Sequence, residues 1–440
     1  MSSAQSPPSP QRFVWPVVQQ HVEEAAHLRH VRSVLVRAPH VELRRLARLD
    51  ERIEAHIDGM FVSAPAARKL ALQELDPPSA GKVFAATTLA LLTQDSSLLD
   101  QMCALAAALP EVSRGLSSAL GWVDPAALRR TVRDLLASSE PALRAIGIEA
   151  CTLHRVDPGQ LLDAAAQDGY APLRAAALRA AAAFGRADML PDAISALAAA
   201  ADEDDAAATQ LAFAAASAAC RLGQATVALP TLERLSRAEG EIGLRALWLG
   251  LSSAPPAAAT DLARAWGSAA RQGDSPLAAR RAIQAVALLG QPEHVPWLID
   301  RMSDPKLMRL AGEAFSWITG VDLAEHDLET LDGPQSPETP SDAPAADDVT
   351  LDEDESLPWP DPPKLRRWWD ANGTRFAALA TPVFMGRASK DEAALVQTLR
   401  SGRQRQRHHA AWLLGLQRPG TVLFPVSAPS RRQSALLDRL

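Results

Sequence analysis

The chain has 440 residues, too many for one compact core of ordinary size, so several domains or an extended repeat are expected. Hydrophobic residues make up 47% and aromatics only 5%, with alanine carrying much of the apolar share, which favours closely packed helices over sheets and an all-α fold. The formal charge of -7 argues against general nucleic-acid affinity from net charge alone.

The first residues, "MSSAQSPPSPQ", contain no apolar signal segment, and no uncharged stretch reaches membrane-spanning length, so a cytoplasmic protein without membrane association is expected. Next come two longer helices, "FVWPVVQQHVEEAAHLRHVRSVLVRAPH" and "VELRRLARLDERIEAHIDGM". Leu43, Leu46, Leu49, Ile53 and Ile57 line one face of the second. Residues 1–74 are read as a helical cap that closes the end of a repeat array with a polar outer side.

From about residue 75 one layout recurs. "SEPALRAIGIEA", "GYAPLRAAALRAAAAFG", "GEIGLRALWLG", "SPLAARRAIQAVALLG" and "DPKLMRLAGEAFSWITG" share it. Each opens on an acidic or small turn, usually with a proline, then runs through a basic residue and small apolar residues, often to a closing glycine. The basic residues are Arg144, Arg174, Arg245, Arg280 and Arg309, and Arg114 and Lys82 extend the series towards the N-terminus. Successive intervals are 32, 30, 30, 71, 35 and 29 residues; the longest is close to two units, with Gln210 near the missing basic position. Glycines 185, 223, 250, 290 and 320 mark the other helix end. Partner helices such as "DPAALRRTVRDLLAS" and "HVPWLIDRMSD" lie between; in the latter Val295, Leu298 and Met302 share a face. Proline in a first turn lacks only an N–H that would be orphaned anyway, and glycine permits a left-handed exit. One such pair cannot hide its apolar face alone, so neighbours are expected to stack.

No basic residue occurs between Arg309 and Lys364, and acids and prolines dominate in "GPQSPETPSDAPAADDVTLDEDES". Residues 326–356 are therefore expected to be a disordered acidic linker. Beyond it, residues 357–440 form a basic C-terminal module, with fourteen basic residues against four acids from 364 onward. "RFAALATPVFMG" reads as a short hairpin, and "DEAALVQTLRSG" with "RQRQRHHAAWLLG" as one more helix pair.

The turn-basic-small-glycine layout resembles the HEAT-like repeats of bacterial proteins over roughly residues 75–323, which implies an α-solenoid over 75–325. Four further stretches, "LARLDERIEAHIDGM", "EAFSWITGVDL", "LPWPDPPKLRRWW" and "RQRQRHHAAWLLGLQRPG", occur in that order and extend the likeness over nearly the whole chain. They look like a family of HEAT-like bacterial proteins whose genes often accompany type VI secretion components. The resemblance implies a genomic setting and brings no catalytic residues with it.

Signatures for phosphate loops, serine hydrolases, zinc proteases, paired Cys-x-x-Cys sites and dinucleotide binding are missing from the sequence. Cys103, Cys151 and Cys220 are odd in number and set in apolar helical patterns, a reduced usage as small hydrophobes. His27 and His30 with Glu23 and Glu24 are spaced for a metal, but no further ligand completes a site, so a solvated face is the reading. Asp50, Glu51, Glu54 and His56 read the same way, and Asp352, Glu353, Asp354 and Glu355 read as a tail-like charge run.

The basic ladder is the main candidate site. One cation per repeat would form a row about 10 Å apart, the spacing of packed helices, able to grip carboxylates or phosphates. The structural alternative, in which each arginine pairs with a turn acid such as Asp304 or Glu140, carries more weight. Arg403, Arg405, Arg407, His408 and His409 beside Trp412 are read as a solvated face, as a docking site for an acidic partner, or as a nucleic-acid patch. The acidic linker is long enough to fold back and mask this basic end. The expected function is a non-enzymatic scaffold for a protein partner, without cofactor or metal, with Arg114, Arg144, Arg174, Arg245, Arg280, Arg309, Arg403, Arg405, Arg407 and Trp412 as partner-binding residues. For the resembled family the partner would be a secretion component or effector. The alternative is a nucleic-acid-binding protein akin to HEAT-like DNA glycosylases, with Trp248, Trp266, Trp297 and Trp317 near the repeat ends.

Overall fold

The structure of the protein, a computed structural model, describes residues 13–200, 205–273, 275–330, 333 and 354–440. The described residues are all-α: they hold twenty-two α-helices and four strands of two residues each. None of these helices is long and apolar enough to cross a membrane. The chain divides into two compact units, one of Met1–Val36, Arg44–Val156 and Ser427–Gln433, the other of Arg37–Leu43, Asp157–Val426 and Ser434–Leu440.

The first unit contains α1 (Trp15–Leu35), most of α2 (Leu43–Val62), α3 (Ala64–Glu74), α4 (Ala80–Thr93), α5 (Ser96–Ala108), α6 (Ser113–Trp122), α7 (Pro125–Leu136) and α8 (Pro141–His154). Helix starts follow the sequence chemistry. The side chains of Ser79, Asp95 and Asp124 accept from amides in the first turns of α4, α5 and α7. Prolines open α7 and α8. Helices α1, α4, α6 and α8 pack in succession, and α3, α5 and α7 lie beside them. On α2 the face of Leu46, Leu49, Ile53 and Ile57 is buried, as its spacing predicts.

The second unit repeats this plan with α9 (Gln160–Ala166), α10 (Ala171–Phe184), α11 (Leu190–Ala199), α12 (Ala206–Arg221), α13 (Ala225–Ser236), α14 (Gly240–Ser253), α15 (Pro256–Gln272), α16 (Pro276–Leu289), α17 (Val295–Arg301) and α18 (Met308–Thr319). Helices α10, α12, α14, α16 and α18 stack one on the next, and each packs on an odd-numbered neighbour. Burial separates the two sets. Helix α10 buries ten residues, seven of them alanines, and α12 buries eleven, whereas α11 buries three and α15 only Ala259 and Ala263. A helix apolar around most of its circumference belongs inside. Alanine suits the position because its short side chain lets helices approach closely on several sides. The repeat-like layering read from the helix starts is thus the architecture of the chain.

The glycine signal has two origins. Gly185, Gly290 and Gly320 end α10, α16 and α18 in the left-handed conformation, with φ of 73°, 55° and 72°. Gly250, by contrast, lies inside α14, where a Cβ would meet Leu262 at 3.4 Å and Leu232 at 3.6 Å. It serves helix packing and not chain exit.

After α18, β1 (Glu329–Thr330) pairs antiparallel with β2 (Trp359–Pro360), so the described ends of the acidic segment meet. Most of that segment, residues 331–332 and 334–353, falls outside the described residues, so the expected disorder concerns them. Then come α19 (Pro362–Asn372), a hairpin of β3 (Val383–Phe384) and β4 (Arg387–Ala388), α20 (Glu392–Ser401), α21 (Gln404–Gln417) and α22 (Ser430–Leu437). The α20–α21 pair lies where the sequence places it, whereas the hairpin has only its first strand and turn inside the expected residues 375–386 and its second strand beyond them. Residues 357–426 share one hydrophobic core with the last repeats: Leu365, Phe376, Val383, Phe384, Leu399 and Leu414 pack with Ile283, Leu310 and Phe315.

This C-terminal stretch pairs the carbonyl ends of the inner helices. The amide of Val383 donates to Gly290 O at 2.7 Å. Those of Met385 and Gly386 donate to Trp317 O and Ile318 O at 2.8 and 2.9 Å. At α10 the Leu423 amide donates to Ala183 O at 2.8 Å. In the first unit Arg431 donates to Trp122 O, and Arg432 donates to Gly121 O and Leu153 O. The last carbonyls of a helix have no partner within it, so these bonds satisfy groups that would otherwise be buried unpaired.

At Gly320 a Cβ would stand 2.6 Å from Met385 O, whereas at Gly420 (φ 77°) it would meet nothing within 4 Å. Gly320→Ala should therefore cost about 2 kcal/mol or more in urea denaturation, and Gly420→Ala only the left-handed conformational cost of about 1 kcal/mol. Equal losses would mean that the hairpin is not seated on α18.

Candidate functional site

Arg144, Arg174, Arg280 and Arg309 of the ladder are half-buried and meet partners within the protein, whereas Arg114 and Arg245 are exposed. Arg144 donates to Ser138 O and Ser139 O at 3.0 Å, beyond the end of α7, and Arg174 donates to Ala166 O, the last residue of α9. A basic residue early in an inner helix thus ties down the C-terminal end of the outer helix before it, where the dipole is negative. Arg245 lies over Phe213 at 4.9 Å from the ring centroid and pairs with Glu241. Arg309 lies over Trp359 at 4.3 Å. Arg114 is exposed, and its carbonyl accepts from Arg29.

Arg280 makes two bonds to Asp354, at 2.6 and 3.0 Å. Asp354 is only 3% exposed, which corrects its reading as part of a solvated charge run. A carboxylate is stable there because a planar guanidinium meets it with two donors. The proposed masking of the basic end by the acidic linker concerns residues 334–353, outside the described residues. Asp354, at the described border of that segment, is paired with the repeat arginine Arg280.

The C-terminal basic run divides in the same way. Arg403 pairs with Asp322 at 2.5 Å, and Arg405 with Glu313 at 2.9 and 3.1 Å. Burial pushes the Glu313 carboxyl up even so. Arg407 is fully buried; it donates to Leu399 O at 2.7 Å and to Gln404 Oε1, and burial lowers its pKa to about 10. Trp412 is buried against Trp248 and donates to Ser253 Oγ at 3.1 Å. In the second unit Arg280, Arg403 and Arg405 gather around Asp354, Glu313 and Asp322, while Arg174, Arg245, Arg309 and Arg407 have other partners.

Arg403 also borders a cleft of about 700 Å³ in the second unit, whose lining includes Glu42, Asp322, Glu325, Arg387 and Asp391. Among the described residues no group of three or more His, Cys, Asp and Glu side chains is arranged to hold a metal. Burial raises the thiols of Cys103 and Cys220 to about 11 and 12, so they stay protonated and unreactive at neutral pH.

Several arrangements are not legible in the sequence, although it marks His409, Trp248 and Trp317 singly. Arg186 holds Asp157, Asp163 and Asp188 together around the α9–α10–α11 junction. Its position directly after the closing Gly185 is the signal that could have marked it. His409 is enclosed by Trp248, Trp317 and Phe384, with ring centroids 5.6, 5.0 and 4.7 Å away. Its helical neighbours gave no sign of this, because the cage comes from three distant elements. Outward-facing aliphatic residues also recur on consecutive outer helices: Leu161 on α9, Ile194 on α11 and Val227 on α13 are exposed. Comparison of the chain with protein-family models, with curated proteins and with solved structures returns no match.

Burial in this apolar cage lowers the His409 pKa to about 3. The folded protein keeps the ring neutral, while the unfolded chain binds a proton below its ordinary value of about 6.5. Its contribution to stability is complete above pH 6.5 and declines as pH falls towards 3. The loss should reach about 2 kcal/mol at pH 5. His409→Leu should flatten the fall in stability between pH 7 and pH 5 by that amount in urea titrations; an unchanged pH slope would show that the ring is not held neutral.

Proposed function

We propose that this protein is a non-enzymatic cytoplasmic scaffold that holds a protein client on the outer helices of its repeats. One observation carries the reading: in the second unit the outer helices give few side chains to the core, and an exposed aliphatic residue recurs on α9, α11 and α13. Stacked repeats suit such work because weak contacts add along a surface of many residues. The ladder cations serve the fold in this reading. The carbonyl, ring and carboxylate partners of Arg144, Arg174, Arg280 and Arg309 weigh against the nucleic-acid alternative, which would need a row of guanidinium groups open to phosphates and a binding constant falling steeply with salt. The family resemblance points to a type VI secretion component or effector as the client.

Tagged protein recovered from its native cell should bring down a stoichiometric partner. A Leu161→Glu, Ile194→Glu, Val227→Glu variant should lose that partner at least tenfold while keeping its helical circular dichroism. Recovery of no partner, or equal recovery by the variant, would contradict the proposal.

A further inference from the structure

His21 on α1 and His56 on α2 face one another, with their Nδ1 atoms 3.1 Å apart and their ring centroids 5.2 Å apart. Both residues belong to the first unit and both are partly exposed. The space for the His21 ring exists because residue 59 is glycine: a Cβ there would stand 2.5 to 2.6 Å from the ring.

Two imidazole nitrogens at this separation match the bite of a transition-metal ion. With metal–nitrogen bonds of about 2.0–2.1 Å, the angle at the metal would be about 100°, close to tetrahedral. We propose that His21 and His56 form a two-histidine site for a borderline divalent cation of the Zn2+, Ni2+ and Cu2+ class, which staples α1 to α2. No third His, Cys, Asp or Glu completes the group among the described residues, so water fills the remaining positions. Imidazole selects this class over Mg2+ and Ca2+, which take oxygen ligands. Binding competes with protons and weakens as pH falls below the ordinary histidine range.

The test is calorimetric titration of the full chain, free of any histidine tag, with Zn2+ and separately with Ni2+ at pH 7.5. One equivalent should bind, and the melting temperature should rise with metal concentration because the ion links two helices of the native state. His21→Gln and His56→Gln should each weaken that binding at least tenfold and abolish the rise. His27→Gln/His30→Gln, which alters the exposed pair on α1, should leave both unchanged. No binding by the wild-type chain would overturn the site. Binding that survives both His21→Gln and His56→Gln would overturn it equally, by placing the ion elsewhere.

Discussion

The last turn of every buried helix presents carbonyl oxygens that the helix itself cannot pair, and in this protein those oxygens organise much of the architecture. In the second unit, Val383, Met385, Gly386 and Leu423 bring backbone amides to the ends of α16, α18 and α10. A carbonyl left buried without a partner costs about 1–3 kcal/mol, so several such ends make the difference between a stable unit and a marginal one. The left-handed glycines matter for the same reason. By ending a helix without a Cβ, Gly290 and Gly320 leave room for another backbone to come within hydrogen-bonding distance.

Charge follows the same economy. Arginine is retained early in the inner helices because its long stem reaches carbonyls or rings of the neighbouring element, as Arg144, Arg174 and Arg309 do. Some arginines meet a carboxylate instead: Arg280 gives Asp354 two donors, and Arg405 shares one Nη1 between both oxygens of Glu313. Arg221, at the end of α12, is paired less completely. It is 2% exposed and donates to Thr421 O at 2.6 Å, while its Nε and Nη1 have no hydrogen-bond partner among the described residues. The proposed client is placed on the less buried outer helices of the second unit.

How much of this was legible in the sequence depended on the range of the forces involved. Helix starts were visible because capping is local: Asp124, Ser275 and the following prolines act within three residues of themselves. The hairpin near Val383 and the α20–α21 pair were visible for the same reason. The engagement of the arginine ladder could only be weighed as one of two readings, because the partners are either backbone carbonyls or residues far away, such as Asp354 for Arg280. Asp354 itself was misread, since an acidic run looks alike whether or not one of its members meets a buried guanidinium. Gly250 was assigned to chain exit because glycine has two uses, conformational freedom and close approach, and sequence does not separate them. The His409 cage and the His21–His56 pair needed the tertiary fold, as their members come from different helices with no shared spacing.

Native-state hydrogen exchange on the intact chain tests most directly whether the C-terminal stretch is part of the inner-helix framework. Amides that donate across the seam, those of Val383, Met385, Gly386 and Leu423, should exchange with the same opening free energy and the same denaturant dependence as the interiors of α10, α16 and α18. If those four amides instead exchange several kcal/mol more readily, with the helix interiors still fully protected, the carbonyl ends are not held by this stretch and the account fails.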